Sequence, residues 1–178
     1  ENDMSGIIGG AGSKSGVIGY IGGGSRAMFQ ATGLGYGNQS LSTTHHLIAY
    51  TSCSPTRKGE WNIGGCYDTS GTGRFTAPIN GIYQFRFNTE LQGCNERVVI
   101  IFYRHNASGT LLYELSWQDS IQDRASCNVN QTFYMDATDY VYCEIWLAAG
   151  TSTMEAATGS DYAYSYLNCF LISTDSSV

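Results

Sequence analysis

The chain has 178 residues, a length that suits one domain with a sizeable core. Only 13% of its residues are charged, while tyrosine occurs 13 times and glycine 22 times, which is a β-rich, turn-rich composition and not a helical one. A net charge of −6 and a pI near 4.8 argue against nucleic-acid and anionic-lipid partners, and the lack of a long apolar run argues against membrane insertion.

Residues 1–25 form a glycine-serine arm, followed by a globular domain over 26–178. The arm's glycines do not recur every third residue and it has no proline, so it is not collagen. Its pairs Ile7-Ile8 and Val17-Ile18 are too apolar for a plain linker, and either a flexible leader or a short hairpin fits. Residues 26–32 read as the first strand, with Met28 inward, and 46–51 and 62–68 as the next two. Ala77-Pro78-Ile79-Asn80-Gly81 is turn chemistry, since proline fixes φ and Asn-Gly tolerates positive φ. After it, Tyr83, Phe85 and Phe87 alternate with Ile82, Gln84, Arg86 and Asn88, the mark of a half-buried strand.

Arg97 to Arg104 is apolar on both faces, which fits a central strand or one covered by a neighbouring chain. His105 to Gly109 is a hairpin loop, and Leu111, Tyr113, Leu115 and Trp117 then alternate with Leu112, Glu114 and Ser116. Residues 116–126 read as a loop, 128–135 and 140–147 as strands, 148–162 as a polar loop, and 163–173 as the last strand. Short strands at this spacing suggest a sandwich.

The six cysteines are Cys53, Cys66, Cys94, Cys127, Cys143 and Cys169, with no C-x-x-C pair. Sequons stand at Asn38, Asn106 and Asn130. Together with the cysteines and the low lysine content they favour a secreted protein, read as a mature chain whose signal peptide has been removed.

Phe75, five residues, then Gly81, Tyr83, Phe85 and Phe87 make a spaced signature. It resembles the core motif of the complement C1q globular domain. Asn62 and Tyr67 fit the motif's upstream half in order and mutual spacing, but Tyr67 lies one residue too far from Phe75, and Thr56 stands where an aromatic is expected. Asp139-Tyr140-Val141 and Tyr164 to Leu171 are similar to the family's last two strands, with Cys169 in place of the usual glycine. The resemblance implies an all-β, ten-stranded antiparallel jelly-roll sandwich of the C1q and tumour necrosis factor type, assembled as a homotrimer.

Six cysteines do not reveal their connectivity. The family strand order implies a Cys94–Cys127 bridge and, with Cys143 and Cys169 both inward, a bridge across the core, leaving Cys53 with Cys66. Each bridge would contribute about 2–4 kcal/mol.

Little in the chain suggests catalysis. Gly9 to Ser15 superficially resembles a phosphate-binding loop but is rejected, with Ser13 where glycine must precede Lys14 and no helix to follow. There is no G-x-S-x-G elbow and no H-E-x-x-H pair. His45 and His46 are adjacent, so a strand turns them to opposite sides, and no spacing joins His105 to Asp119 or Asp123 as a triad. An enzyme is therefore not expected, and no cofactor is required.

Calcium is the one ion considered, because loop carboxylates suit it and some relatives bind it near the trimer axis. Asp119 and Asp123 occupy the matching region. Tyr162 and Tyr164, beside Asp161, form a tyrosine face that suits a carbohydrate or protein ligand, or a subunit interface. The expectation is thus a secreted recognition protein, lectin-like or acting in innate defence. The alternative is a structural extracellular protein whose trimers cross-link through the arm.

Overall fold

The computed structural model describes residues 27–33, 37–51, 53, 60–120, 123–155, 157–158 and 162–174. Side chains are described within these except at 115–120, 123–125, 157–158 and 162–163. The glycine-rich arm therefore lies outside the described residues.

The described residues form strands and no helix. In chain order these are β1 (Met28–Thr32), β2 (Gln39–Leu41), β3 (His46–Leu47), β4 (Trp61–Ile63), β5 (Phe75–Thr76), β6 (Gly81–Cys94) and β7 (Arg97–His105). Then come β8 (Leu111–Ser120), β9 (Asp123–Met135), β10 (Tyr140–Leu147), β11 (Ser152–Glu155), β12 (Ala157–Thr158), β13 (Tyr162–Ala163) and β14 (Tyr166–Ser173). All pairings are antiparallel. One sheet runs β2-β11-β6-β14-β1-β4, with β9 along the other side of β6. The second runs β3-β10-β7-β8, with β5 also on β10. A small ladder joins β12 to β13. The antiparallel all-β sandwich is as expected; the described residues contain fourteen strand segments, four of them only two residues long.

The aromatic signature builds the centre of the core. Tyr83, Phe85 and Phe87 are all buried on one face of β6. Phe75 packs against Tyr83 at 5.2 Å and Phe85 at 5.3 Å, and Phe85 reaches Phe102 in the opposite sheet at 6.0 Å. The Tyr83 hydroxyl donates to the Ile79 carbonyl at 2.7 Å, so its one polar atom is satisfied beside the turn. The signature glycine has a steric cause. A Cβ on Gly81 would stand 2.5 Å from the Ser173 carbonyl oxygen and 2.7 Å from Leu171 Cδ1.

The upstream half of the signature also folds as one unit. Asn62 Nδ2 donates to the Tyr67 carbonyl at 2.7 Å, and the Tyr67 N–H returns a bond to Asn62 Oδ1 at 3.1 Å. Tyr67 stacks on Phe29 at 4.2 Å and bridges Phe75. A tight loop joins Tyr67 to Phe75. There Asp68 Oδ1 accepts the Ser70 N–H at 2.7 Å, and Gly71 and Gly73 adopt φ of 112° and 60°. Thr56 lies outside the described residues.

Several expectations are corrected. Phe29, not Met28, points inward on β1, because its ring fills the space against Tyr67 and Phe75. The supposed loop 116–126 is mostly strand: β8 runs to Ser120 and β9 begins at Asp123. The supposed loop 148–162 contains β11, which pairs with β2 and β6. The doubly apolar β7 is central, between β10 and β8, and Val99 and Ile101 on its outer face are buried within the chain itself.

None of the expected disulfides is formed; all six cysteines are buried thiols. The β6–β9 register sets Cys127 opposite Thr89 and Cys94 opposite Asp123, so the two lie several rungs apart, about 16 Å at strand rise, beyond disulfide reach. Cys143 and Cys169 do point inward from opposite sheets, both fully buried. Beside them stand their strand neighbours Phe102 and Phe85, whose rings meet across the sheets at 6.0 Å. Cys53 Sγ donates instead to the Trp61 carbonyl at 2.9 Å, and Cys66 Sγ to the Ile63 carbonyl at 3.5 Å.

Candidate recognition surfaces

The residues named from the sequence do not converge on one site. Asp119 is the penultimate residue of β8, opposite Val98, and Asp123 opens β9, opposite Cys94; their side chains lie outside the described residues. Asp161 lies wholly outside them, as does the Tyr162 side chain. Tyr164 is partly buried, and its carbonyl accepts Asn88 Nδ2 at 3.1 Å. Among the described residues no three His, Cys, Asp or Glu side chains are grouped to hold a metal.

His105 ends β7 opposite Leu111, whereas Asp119 faces Val98 at the other end of the same pair. Seven residues of strand, about 23 Å, separate them, so His105 and Asp119 do not meet as parts of a triad. His45 Nδ1 lies 2.7 Å from Glu144 Oε2, while His46 is half-buried and burial lowers its pKa. Among the sequons, Asn38 and Asn130 are exposed and Asn106 is partly so. Asn106 Oδ1 accepts Ser108 Oγ and the Thr110 N–H, both at 2.8 Å, and Asn130 Oδ1 accepts Arg86 Nε at 2.6 Å.

Two apolar surfaces stand out. The first is the edge strand β8, where Leu111, Leu112 and Tyr113 are 47%, 45% and 53% exposed. The second is one end of the outer face of the first sheet. There Ile63, Met28 and Phe170 form a row across β4, β1 and β14, with Ile172 53% exposed beside them.

A third surface is the outer face of the second sheet, which sequence reasoning missed as a unit. Its signal was present in the alternation Tyr140, Tyr142, Glu144, Trp146 against the inward Val141, Cys143, Ile145 and Leu147. Strand pairing completes it. Tyr142 stacks on Tyr103 at 5.1 Å, Tyr140 on His105 at 5.0 Å, and Trp146 on His45 at 5.2 Å. The guanidinium carbon of Arg74 sits 4.5 Å above the Tyr140 ring.

The fold has relatives among solved structures. The Eiger tumour necrosis factor of S. frugiperda matches with TM-score 0.51 and 12% identity over 85% of this chain and 96% of that one. The globular domain of zebrafish complement 1qA matches with TM-score 0.51 and 15% identity over 84% and 100%. Murine APRIL matches with TM-score 0.54 and 11% identity over 82% and 98%. At these identities the likeness shows a jelly-roll fold and nothing more. No curated protein sequence matches significantly. The sequence model of the C1q domain matches residues 41–172, which takes in the signature strand and every strand from β3 to β13 with most of β14; the chain belongs to the C1q domain family.

Proposed function

We propose that this protein is a secreted, non-catalytic recognition module that works as a self-assembled trimer and binds extracellular carbohydrate or protein. The observation that carries this reading is the pair of dissimilar apolar patches on one chain: the β8 edge with Leu111, Leu112 and Tyr113, and the sheet face with Ile63, Met28, Phe170 and Ile172. Patches that differ from each other fit a head-to-tail contact, and a head-to-tail contact that closes makes a ring. C1q and tumour necrosis factor relatives form trimers, which supports three as the number. The thiols do not oppose an extracellular setting, because burial removes them from oxidants. It holds Cys143 and Cys169 well above the ordinary thiol range, where little reactive thiolate forms.

Light scattering on the native chain tests the reading, with Leu112→Asp and Ile172→Asp as variants and a calcium chelator as a separate arm. A trimer that falls to monomer in each variant is expected. A monomeric wild type, or a trimer indifferent to both variants, would sink the assembly. Larger particles that persist in both variants would favour a structural protein cross-linked elsewhere. Dissociation on chelation would return Asp119 and Asp123 to attention as an ion site.

A further inference from the structure

The outer face of the second sheet over β10 and β7 lies beside the β8 edge of the proposed trimer contact, with Glu114 at the boundary, and its middle has a defined chemistry. Tyr103 is the pivot. Tyr142 on β10 covers one face of its ring at 5.1 Å. Strand order then turns the other face toward β8, where Glu114 stands directly opposite Tyr103 and is exposed. Glu144 on β10 carries the carboxylate that His45 contacts at 2.7 Å. Glu144 is therefore occupied within the chain, and Glu114 forms no ion pair among the described residues.

One end of the same ladder shows what this surface takes. Arg74 places its guanidinium 4.5 Å over Tyr140, a cation on an aromatic face. At Tyr103 the same kind of face lies beside a carboxylate, and among the described residues no cation sits over it. Burial first, then the charges of Glu144 and Glu114, push Tyr103 up to about 12, which agrees with negative potential on both sides of the ring.

We propose that the β8-facing side of Tyr103, beside Glu114, is the docking point for a lysine or arginine side chain of a basic partner segment. The ring supplies a cation–π contact and Glu114 the counter-charge. The surface is about 20 Å long from Tyr140 to Trp146, enough for several residues of an extended partner lying across β10 and β7. A net charge of −6 favours approach of a basic segment. The inference deepens the recognition reading by naming a ligand class. It does not depend on trimer formation.

The test is fluorescence anisotropy on the full chain, with a labelled peptide of alternating glycine and lysine, its glutamate counterpart, and chitohexaose as a neutral sugar competitor. Saturable binding of the lysine peptide alone is expected, weakened roughly tenfold by molar salt. Glu114→Gln lowers affinity about fivefold and Glu114→Lys abolishes binding. Glu114 is exposed, so neither change threatens the fold. Tyr103→Phe keeps the ring and binds within about twofold of wild type, while Tyr103→Leu does not bind. Equal binding of the two peptides, no binding of either, or indifference to Glu114→Lys would overturn the proposal. Displacement by chitohexaose that ignores salt would also overturn it and reassign the face to sugar. Light scattering on the same samples separates the two claims: an intact trimer that ignores the peptide sinks the site and leaves the assembly standing.

Discussion

Phe85 on β6 meets Phe75 on β5 edge-on, with ring centres 5.3 Å apart and planes at 79°. The same ring touches Phe102 at 6.0 Å and Phe133 at 5.8 Å, so one side chain joins both sheets. Phe85→Ala would open a cavity between two strand-anchored walls that cannot collapse together. Loss of about 3–5 kcal/mol is expected in denaturant unfolding. A loss below about 1 kcal/mol would mean that the core is not centred there.

Gly81 is the signature position where no side chain fits. Gly81→Ala drives a Cβ to 2.5 Å from the Ser173 carbonyl oxygen, which belongs to a paired backbone and cannot rotate away. The β6–β14 ladder must part at this end. A cost of about 2 kcal/mol or more is expected, read as a lower melting temperature, with Ser173 amide exchange accelerated.

Arg104 and Asp139 form a mostly buried pair, with Nη2 to Oδ2 at 2.6 Å and exposures of 17% and 5%. Asp139 also accepts the Asp136 N–H at 3.1 Å, and so closes the turn before β10. Asp139→Ala leaves the guanidinium only the exposed Asp136 carboxylate at 4.0 Å and opens the turn, and should cost about 2–3 kcal/mol. In the same turn Thr138 holds φ at 76°, a region that disfavours branched side chains. Thr138→Gly should relieve this and raise stability by about 1 kcal/mol or slightly less, a gain that calorimetry can read.

Stability should fall on the alkaline side. Burial, aided by Glu60, pushes the Cys53 thiol up to about 12; burial also pushes Cys66 to about 11 and the Tyr83 phenol to about 12. A raised pKa means that the folded chain keeps its proton after the unfolded chain has lost it. The associated stability is complete below the unfolded thiol value of 9.0 and is lost as pH climbs through 11 and 12. Unfolding free energies measured from about pH 7 to 11 should stay level and then decline. Cys53→Ala with Cys66→Ala should soften the early part of that decline, and a rise above pH 9 would contradict the assignment.

The thiols give a chemical count. Folded protein should resist alkylation, since all six are buried, and protein unfolded without reductant should take up six equivalents. Four equivalents would reveal one bridge, and peptide mapping would show whether it joins Cys53 to Cys66, the two whose sulfurs flank β4.

Local chemistry made much of the fold legible. The period-two pattern in β6 and β10 fixed which residues face inward, because a strand turns alternate side chains to opposite sides. The signature needed only one chain segment, and each of its members has a local cause: Gly81 by close approach, Tyr83 by its bond to Ile79, Phe85 and Phe87 by burial. Met28 was misread because Met28 and Phe29 are both apolar, and only the position of Tyr67 decides which one the core accepts.

Alternation, turn chemistry and motif spacing are properties of consecutive residues, so the β-sandwich, the inward residues of β6 and β10 and the family could all be read along the chain. Tertiary structure decided everything that depends on register between distant strands. It separated Cys94 from Cys127, set Phe102 beside Cys143 and Phe85 beside Cys169, and moved His105 away from Asp119. It also brought Tyr103, Tyr142, Glu114 and Arg74 onto one face, although they come from four separate segments. Side-chain parity is written along one strand, but a surface is assembled across several, and the long-range pairing that aligns them has no trace in local pattern.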